Sequence, residues 1–187
     1  MLVLALLWFA GCTTWTPQPF AVGEQAKTPQ EVKSPPAEQR ARFIFHDIEP
    51  ELRSKTGIPL RLPGFLPDVD AEHPIYATVE SATQSGYEIL LAVILPCTGG
   101  NNCLYGTVAA SSSPFELENE AKPVPVKLTH GIEGQFIEFV CHAYCSQAFV
   151  RWHEGTYYYS IGIKAEKKQA MIEVANSSID VERIKAH

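Results

Sequence analysis

The spacing of apolar residues changes three times along the chain. Met1 to Gly11 is an unbroken apolar run, MLVLALLWFAG, whereas from Thr13 to Gln39 apolar residues are scattered among Pro, Gln, Thr and Lys without a sustained period. From Arg40 onward they recur at the two-residue spacing of strands, and near the end at helical spacing. These changes divide the chain into an apolar leader at 1–11, a tether at 12–39 and one folded domain at 40–187.

Within the folded region, residues 42–48 read as extended or as the start of a short helix. Glu49-Pro50-Glu51-Leu52-Arg53-Ser54 puts acidic residues and a proline into a first helical turn, with Gly57 beyond its end. The stretch Ile58–Leu62 predicts a strand that Pro59 and Pro63 confine to a sheet edge. Ile75, Ala77 and Val79 alternate with Tyr76, Thr78 and Glu80 and predict a half-buried strand. Glu88–Leu95, EILLAVIL, is apolar on both faces and predicts the central strand. Leu104–Ala110 then closes a hairpin with it. After a polar excursion from Ser111 to Pro125, Val124–Leu128 and Gly134–Val140 read as strands around the turn Thr129-His130-Gly131.

The clearest hairpin is AFVRWHEGTYYYSIGIK, with Glu154-Gly155 at the turn. Ala148, Val150 and Trp152 alternate on one side, followed by Tyr157, Tyr159, Ile161 and Ile163. From Glu166 to Ile179 the period becomes helical, with Ala165, Ile172, Ala175 and Ile179 on one stripe. The predicted fold is α+β: a mostly antiparallel, twisted sheet covered by a C-terminal amphipathic helix, plus a short N-terminal helix. Internal repeats, heptads, βαβ alternation and Gly-rich phosphate loops are absent from the sequence.

Composition narrows the function. The 187 residues carry 15 Lys or Arg against 21 Asp or Glu, a net charge of −6. Without a basic cluster the chain lacks the surface that displaces counterions from nucleic-acid phosphates, and it cannot dock on anionic lipid by charge alone. No apolar run reaches the ~20 residues of a spanning helix.

The leader ends in Gly11-Cys12 and is followed by polar Thr13 and Thr14, which resembles the lipobox of bacterial lipoproteins, with Phe9 where that family favours Leu. The resemblance implies cleavage before Cys12 and lipid on its thiol, so that the protein is exported and held to the membrane on the periplasmic side. Too poor in apolar residues to offset its ordering entropy, the segment after Cys12 is a tether. At ~5–6 Å × √n it reaches about 30 Å.

The other cysteines form two close sets, Cys97 and Cys103 in CTGGNNC, and Cys141 and Cys145 in CHAYC. In an exported chain this even number favours two disulfides. Three connectivities are possible, and local closure, 97–103 with 141–145, is the expected one. A four-thiolate zinc site with His142 is the rival, though the spacing lacks C-x2-C knuckles. Neither a metal nor a cofactor is expected.

The segment from Gly131 to Ile179, GIEGQF…CHAYCSQAFVRWHEGTYYYSIGIK…MIEVANSSI, is similar to domains of unknown function in bacterial lipoproteins and cell-envelope proteins of cyanobacterial type. More distantly it resembles the sheets of outer-membrane lipoprotein carriers and sigma-factor regulators. That resemblance implies the fold and carries no catalytic residue.

Candidate chemistry is sparse. Cys141, Cys145 and His142 would serve a thiol-redox or hydrolytic enzyme only if a base converged on a thiolate. Glu116, Glu118 and Glu120 alternate in the polar excursion, and Asn176-Ser177-Ser178 matches a glycosylation sequon at a helix end. The remaining feature is aromatic: Tyr158 falls on the face opposite Tyr157 and Tyr159, and if Phe149 lies there too the two form a candidate patch for an apolar ligand or an envelope protein. The expectation is therefore a lipid-anchored binding or assembly factor rather than an enzyme, with the Cys141/Cys145 enzyme as its alternative.

Overall fold

The structure, a computed structural model, describes residues 43–69, 72–116 and 122–185. The leader, the tether and Cys12 lie outside these residues, as do Glu118 and Glu120.

A helical turn at 43–46 leads into helix α1, Glu49–Lys55. Pro50 sits in its first turn with Glu49 and Glu51, and Arg53 and Lys55 occupy the last, so charge complements the helix dipole at both ends. Each cation also pairs one turn back, Arg53 with Glu49 and Lys55 with Glu51, at 2.7 Å. Leu52 is the residue that α1 buries.

Seven strands follow: β1 Tyr76–Thr83, β2 Gly86–Ala92, β3 Leu104–Ser111, β4 Val124–Lys127, β5 Glu133–Ile137, β6 Gln147–Glu154 and β7 Tyr157–Lys164. They form one antiparallel sheet in the order β1-β2-β3-β7-β6-β5-β4. The terminal helix α2, Lys168–Lys185, packs on β6 and β7. The fold is thus α+β, a sheet with a C-terminal helix across one face and a short N-terminal helix.

Strand alternation sorts the two faces. Trp152 stands opposite Tyr159 and Gly134, and Val150 opposite Ile161 and Phe136; these side chains enter the core with Ala148, Ile163, Val108, Ile89 and Leu91. From α2 come Met171, Val174, Ala175 and Ile179. The sequence placed the helix stripe through Ala165 and Ile172. In the structure Ala165 precedes the helix with φ 54 and Ile172 is only half-buried, because the buried stripe runs through Met171 and Val174 instead.

Three other expectations change. The 58–62 segment is extended but belongs to no strand. It crosses the inner face as part of an arm that buries Ile58, Leu60 and Leu66. With Pro59 and Pro63 unable to donate to a ladder, the arm bonds to side chains. The Arg61 N–H donates to the Tyr87 hydroxyl (3.0 Å), and the Tyr159 and Tyr105 hydroxyls donate to the carbonyls of Pro59 (3.2 Å) and Pro67 (2.6 Å). The Phe65 N–H donates to Ser177 Oγ on α2 at 3.1 Å. Burial raises the Tyr105 phenol well above the usual tyrosine range, with Glu166 and Asp68 adding to the shift.

Secondly, β7, fourth of the seven in the order, and not β2 is central; β2 ends at Ala92, and Val93, Ile94 and Leu95 leave the sheet exposed. Thirdly, the β6–β7 turn is Gly155-Thr156, with Glu154 still paired to Tyr157 and Gly155 at φ 59. A left-handed residue suits the twist of a two-residue hairpin.

Candidate functional site

The face away from α2 carries the alternate residues of the same strands. On β6 these are Phe149, Arg151 and His153; opposite them on β7 are Gly162, Ser160 and Tyr158. Gly162 has a packing reason: a Cβ there would collide with the Phe149 ring and with Gln147 Oε1. The Phe149 ring therefore lies across β7 in the space that glycine leaves.

Arg151 organises this face. Its guanidinium lies 5.2 Å from the Phe149 ring centre and 5.5 Å from that of Phe115. Its Nε donates to Ser160 Oγ (3.3 Å), and its Nη1 donates to the Glu116 carbonyl (2.9 Å). A planar cation between aromatic rings gains cation–π attraction on each, and its donors hold the 112–116 segment against the sheet.

That segment walls a groove of about 590 Å³. Its lining includes Pro114, Phe115, Lys127, Glu133, Arg151 and Tyr158. Tyr158 and His153 lie side by side with ring centres 6.1 Å apart. The groove thus joins apolar and aromatic walls to the cations Lys127 and Arg151 and the carboxylate Glu133, a surface able to hold an extended apolar segment with polar groups along it.

Of the two residues singled out from the sequence, Tyr158 lines the groove, whereas Phe149 packs over Gly162. The Arg151–Ser160 pair stands between them in the ladder. The pair is on one face, but the two aromatics do not join into one patch.

On the inner face beneath the groove is a cluster that the sequence did not reveal. Trp152 stacks on Tyr159 with ring centres 5.4 Å apart, and its Nε1 donates to Glu154 Oε1 at 3.0 Å. Arg61 forks onto both oxygens of Glu154 at 2.9 Å and lies 5.8 Å from the centre of the Tyr159 ring. With side chains only 15% and 20% exposed, this ion pair fastens the arm to the hairpin. The available hint was Arg61 inside the otherwise apolar IPLRLPG.

The cysteines form two bridges, Cys97–Cys103 in the β2–β3 loop and Cys141–Cys145 between β5 and β6. Bridged sulfurs are not thiolates, so nucleophilic chemistry at Cys141 or Cys145 would require prior reduction. His142 is exposed beside them. Among the described residues no group of three His, Cys, Asp or Glu side chains is placed to hold a metal ion. Asn176 of the sequon is engaged within the fold, its Oδ1 accepting from the Thr129 N–H at 2.7 Å. Glu116 contributes its backbone carbonyl to Arg151.

Comparison with protein-family models, curated proteins and solved structures finds no match for the chain.

Proposed function

We propose that the protein is an exported, lipid-anchored binding or assembly factor of the bacterial cell envelope, tethered through Cys12 and acting through the open face of its sheet. One observation carries the reading. The inner face is closed by α2 and the arm, while the outer face keeps a groove of about 590 Å³ whose wall is held in place by Arg151. Such a preformed groove accepts a ligand without the cost of first ordering its own walls. Its occupant is an extended apolar segment of an envelope partner, with Phe115 and Tyr158 supplying apolar contact and Lys127 and Arg151 polar contact.

Two measurements test this reading. Labelling with a palmitate analogue is expected to tag the wild type and not a Cys12→Ser variant; equal labelling overturns the anchor. In crosslinked recovery of the anchored protein, Tyr158→Ala and Phe115→Ala are expected to lose the partner recovered with wild type. Unchanged recovery with both variants overturns the groove as the binding site.

A further inference from the structure

Both disulfide-bridged loops lie at one end of the sheet. Residues 93–103 join the end of β2 to the start of β3, and residues 138–146 join the end of β5 to the start of β6. In this antiparallel order both meet the end of β7. Consecutive residues there bind them: Lys164 Nζ donates to the Asn101 carbonyl of the first loop, and the Ala165 N–H donates to the Ser146 carbonyl of the second at 3.1 Å. His153 and Tyr158 of the groove stand by the β6–β7 turn, with Tyr158 about 20 Å from Lys164 along β7 at ~3.3 Å per residue.

The loops expose apolar side chains. Val93, Ile94 and Leu95 in the first are 40%, 54% and 55% exposed, and Val140 and Tyr144 in the second 55% and 68%. Beyond Glu138 at the base of the second, they are also without formal charge. From Val93 to Leu104 and from Phe139 to Phe149 there is no Asp, Glu, Lys or Arg, in a chain holding 15 basic and 21 acidic residues. Charges resume at the loop bases in both signs, with Glu138 as the first residue of the second loop and Lys164, Glu166 and Lys167 at and just beyond the end of β7. A disulfide across each loop limits the ordering that contact would otherwise demand.

We propose that this end is a membrane-docking tip, at which Val93, Ile94, Leu95, Val140 and Tyr144 enter the interface of a lipid bilayer while the groove faces away. The charge pattern selects the occupant. Side chains entering lipid must leave charge outside, and here two adjoining stretches of eleven and twelve residues carry none while charges of both signs resume at their bases. The inference goes beyond the groove reading and does not depend on it. A lipid on Cys12 would keep the tip near the bilayer, but the tip's contact with lipid comes from its own side chains.

The test uses the full chain carrying a photoreactive phenylalanine at position 144 or, as a control, at 124. Val124 is 45% exposed and belongs to neither loop. After irradiation with phosphatidylcholine vesicles, position 144 is expected to form phospholipid adducts well above the yield at 124. Ile94→Asp is expected to lower the yield at 144 about tenfold, the loss that follows when one large aliphatic side chain stops entering lipid. Equal yields at 144 and 124 overturn the proposal. So do adducts from 144 to a protein partner or a second copy of the chain. Palmitate labelling reads Cys12 alone, so failure of the anchor and failure of the tip are separately visible.

Discussion

Replacing Trp152 with alanine should cost this fold more than any change on the groove face. The indole is 4% exposed, stacked on Tyr159 and bonded to Glu154, with Val126 and Gly134 on the neighbouring strands in line with it. Truncating a buried Trp to Ala costs about 3–5 kcal/mol, and losing a hydrogen bond to a half-buried carboxylate places Trp152→Ala at the upper end of that range. A domain has only ~5–15 kcal/mol in all. At roughly 2–4 °C per kcal/mol, the expected fall in Tm is about 10–20 °C. Trp152→Phe keeps most of the apolar area and loses the N–H, so it should cost about 1–2 kcal/mol. Tyr158→Ala removes a half-buried ring from the groove and should cost under about 1 kcal/mol. Urea titration of the three variants, with matched slopes, reads the differences directly. If Trp152→Ala and Tyr158→Ala unfold at the same denaturant concentration, or Tyr158→Ala unfolds first, the assignment of the two faces is wrong.

Arg61→Met should destabilise by about 2–3 kcal/mol, because Glu154 stays half-buried with its fork removed, while Arg61→Lys should recover part of that; urea unfolding measures both. Gly106→Ala should be costlier than Gly162→Ala, since a Cβ at 106 meets the Gly162 carbonyl of the neighbouring backbone, whereas at 162 it meets the Phe149 and Gln147 side chains, which can move. Thermal melts of the pair check that order. The raised Tyr105 phenol sets an alkaline limit: its contribution is intact below about pH 10, where an unfolded tyrosine begins to ionise, and is lost as pH rises further, because the unfolded chain releases the proton first. Stability measured from pH 9 to 12 should therefore fall less steeply in Tyr105→Phe than in wild type.

The two-residue period made the faces of the sheet legible. Ala148, Val150 and Trp152 could only share a side, whereas placing Tyr158 of β7 on the same side as Phe149 of β6 needed the cross-strand register. Strand order was not legible, because it depends on which hairpins pair at long range. EILLAVIL looked central for its apolarity, yet Leu90 owes its burial to the outer face, where it lines a hollow with Thr98 and Gly99, and Val93–Leu95 are loop. The 58–62 segment shares a strand's pattern, and what separates the two is the destination of its backbone hydrogen bonds, which go to side chains such as the Tyr87 and Tyr159 hydroxyls. Arg61 and Glu154 lie 93 residues apart, and nothing local marks them as partners. At the groove, the sequence pointed to Tyr158 but not to Arg151, whose role arises from Phe115 arriving from the excursion before β4.

Photo-crosslinking in intact cells tests most directly whether the outer-face groove binds a partner in the cell envelope. A photoreactive residue is placed at Gln135, exposed within the groove, and in a second strain at Glu173, exposed on α2. A discrete crosslinked species from position 135, absent from 173 and lost when Tyr158→Ala is added, is the predicted result. No adduct at 135, or the same adduct from both positions, would show that the groove is not the binding site.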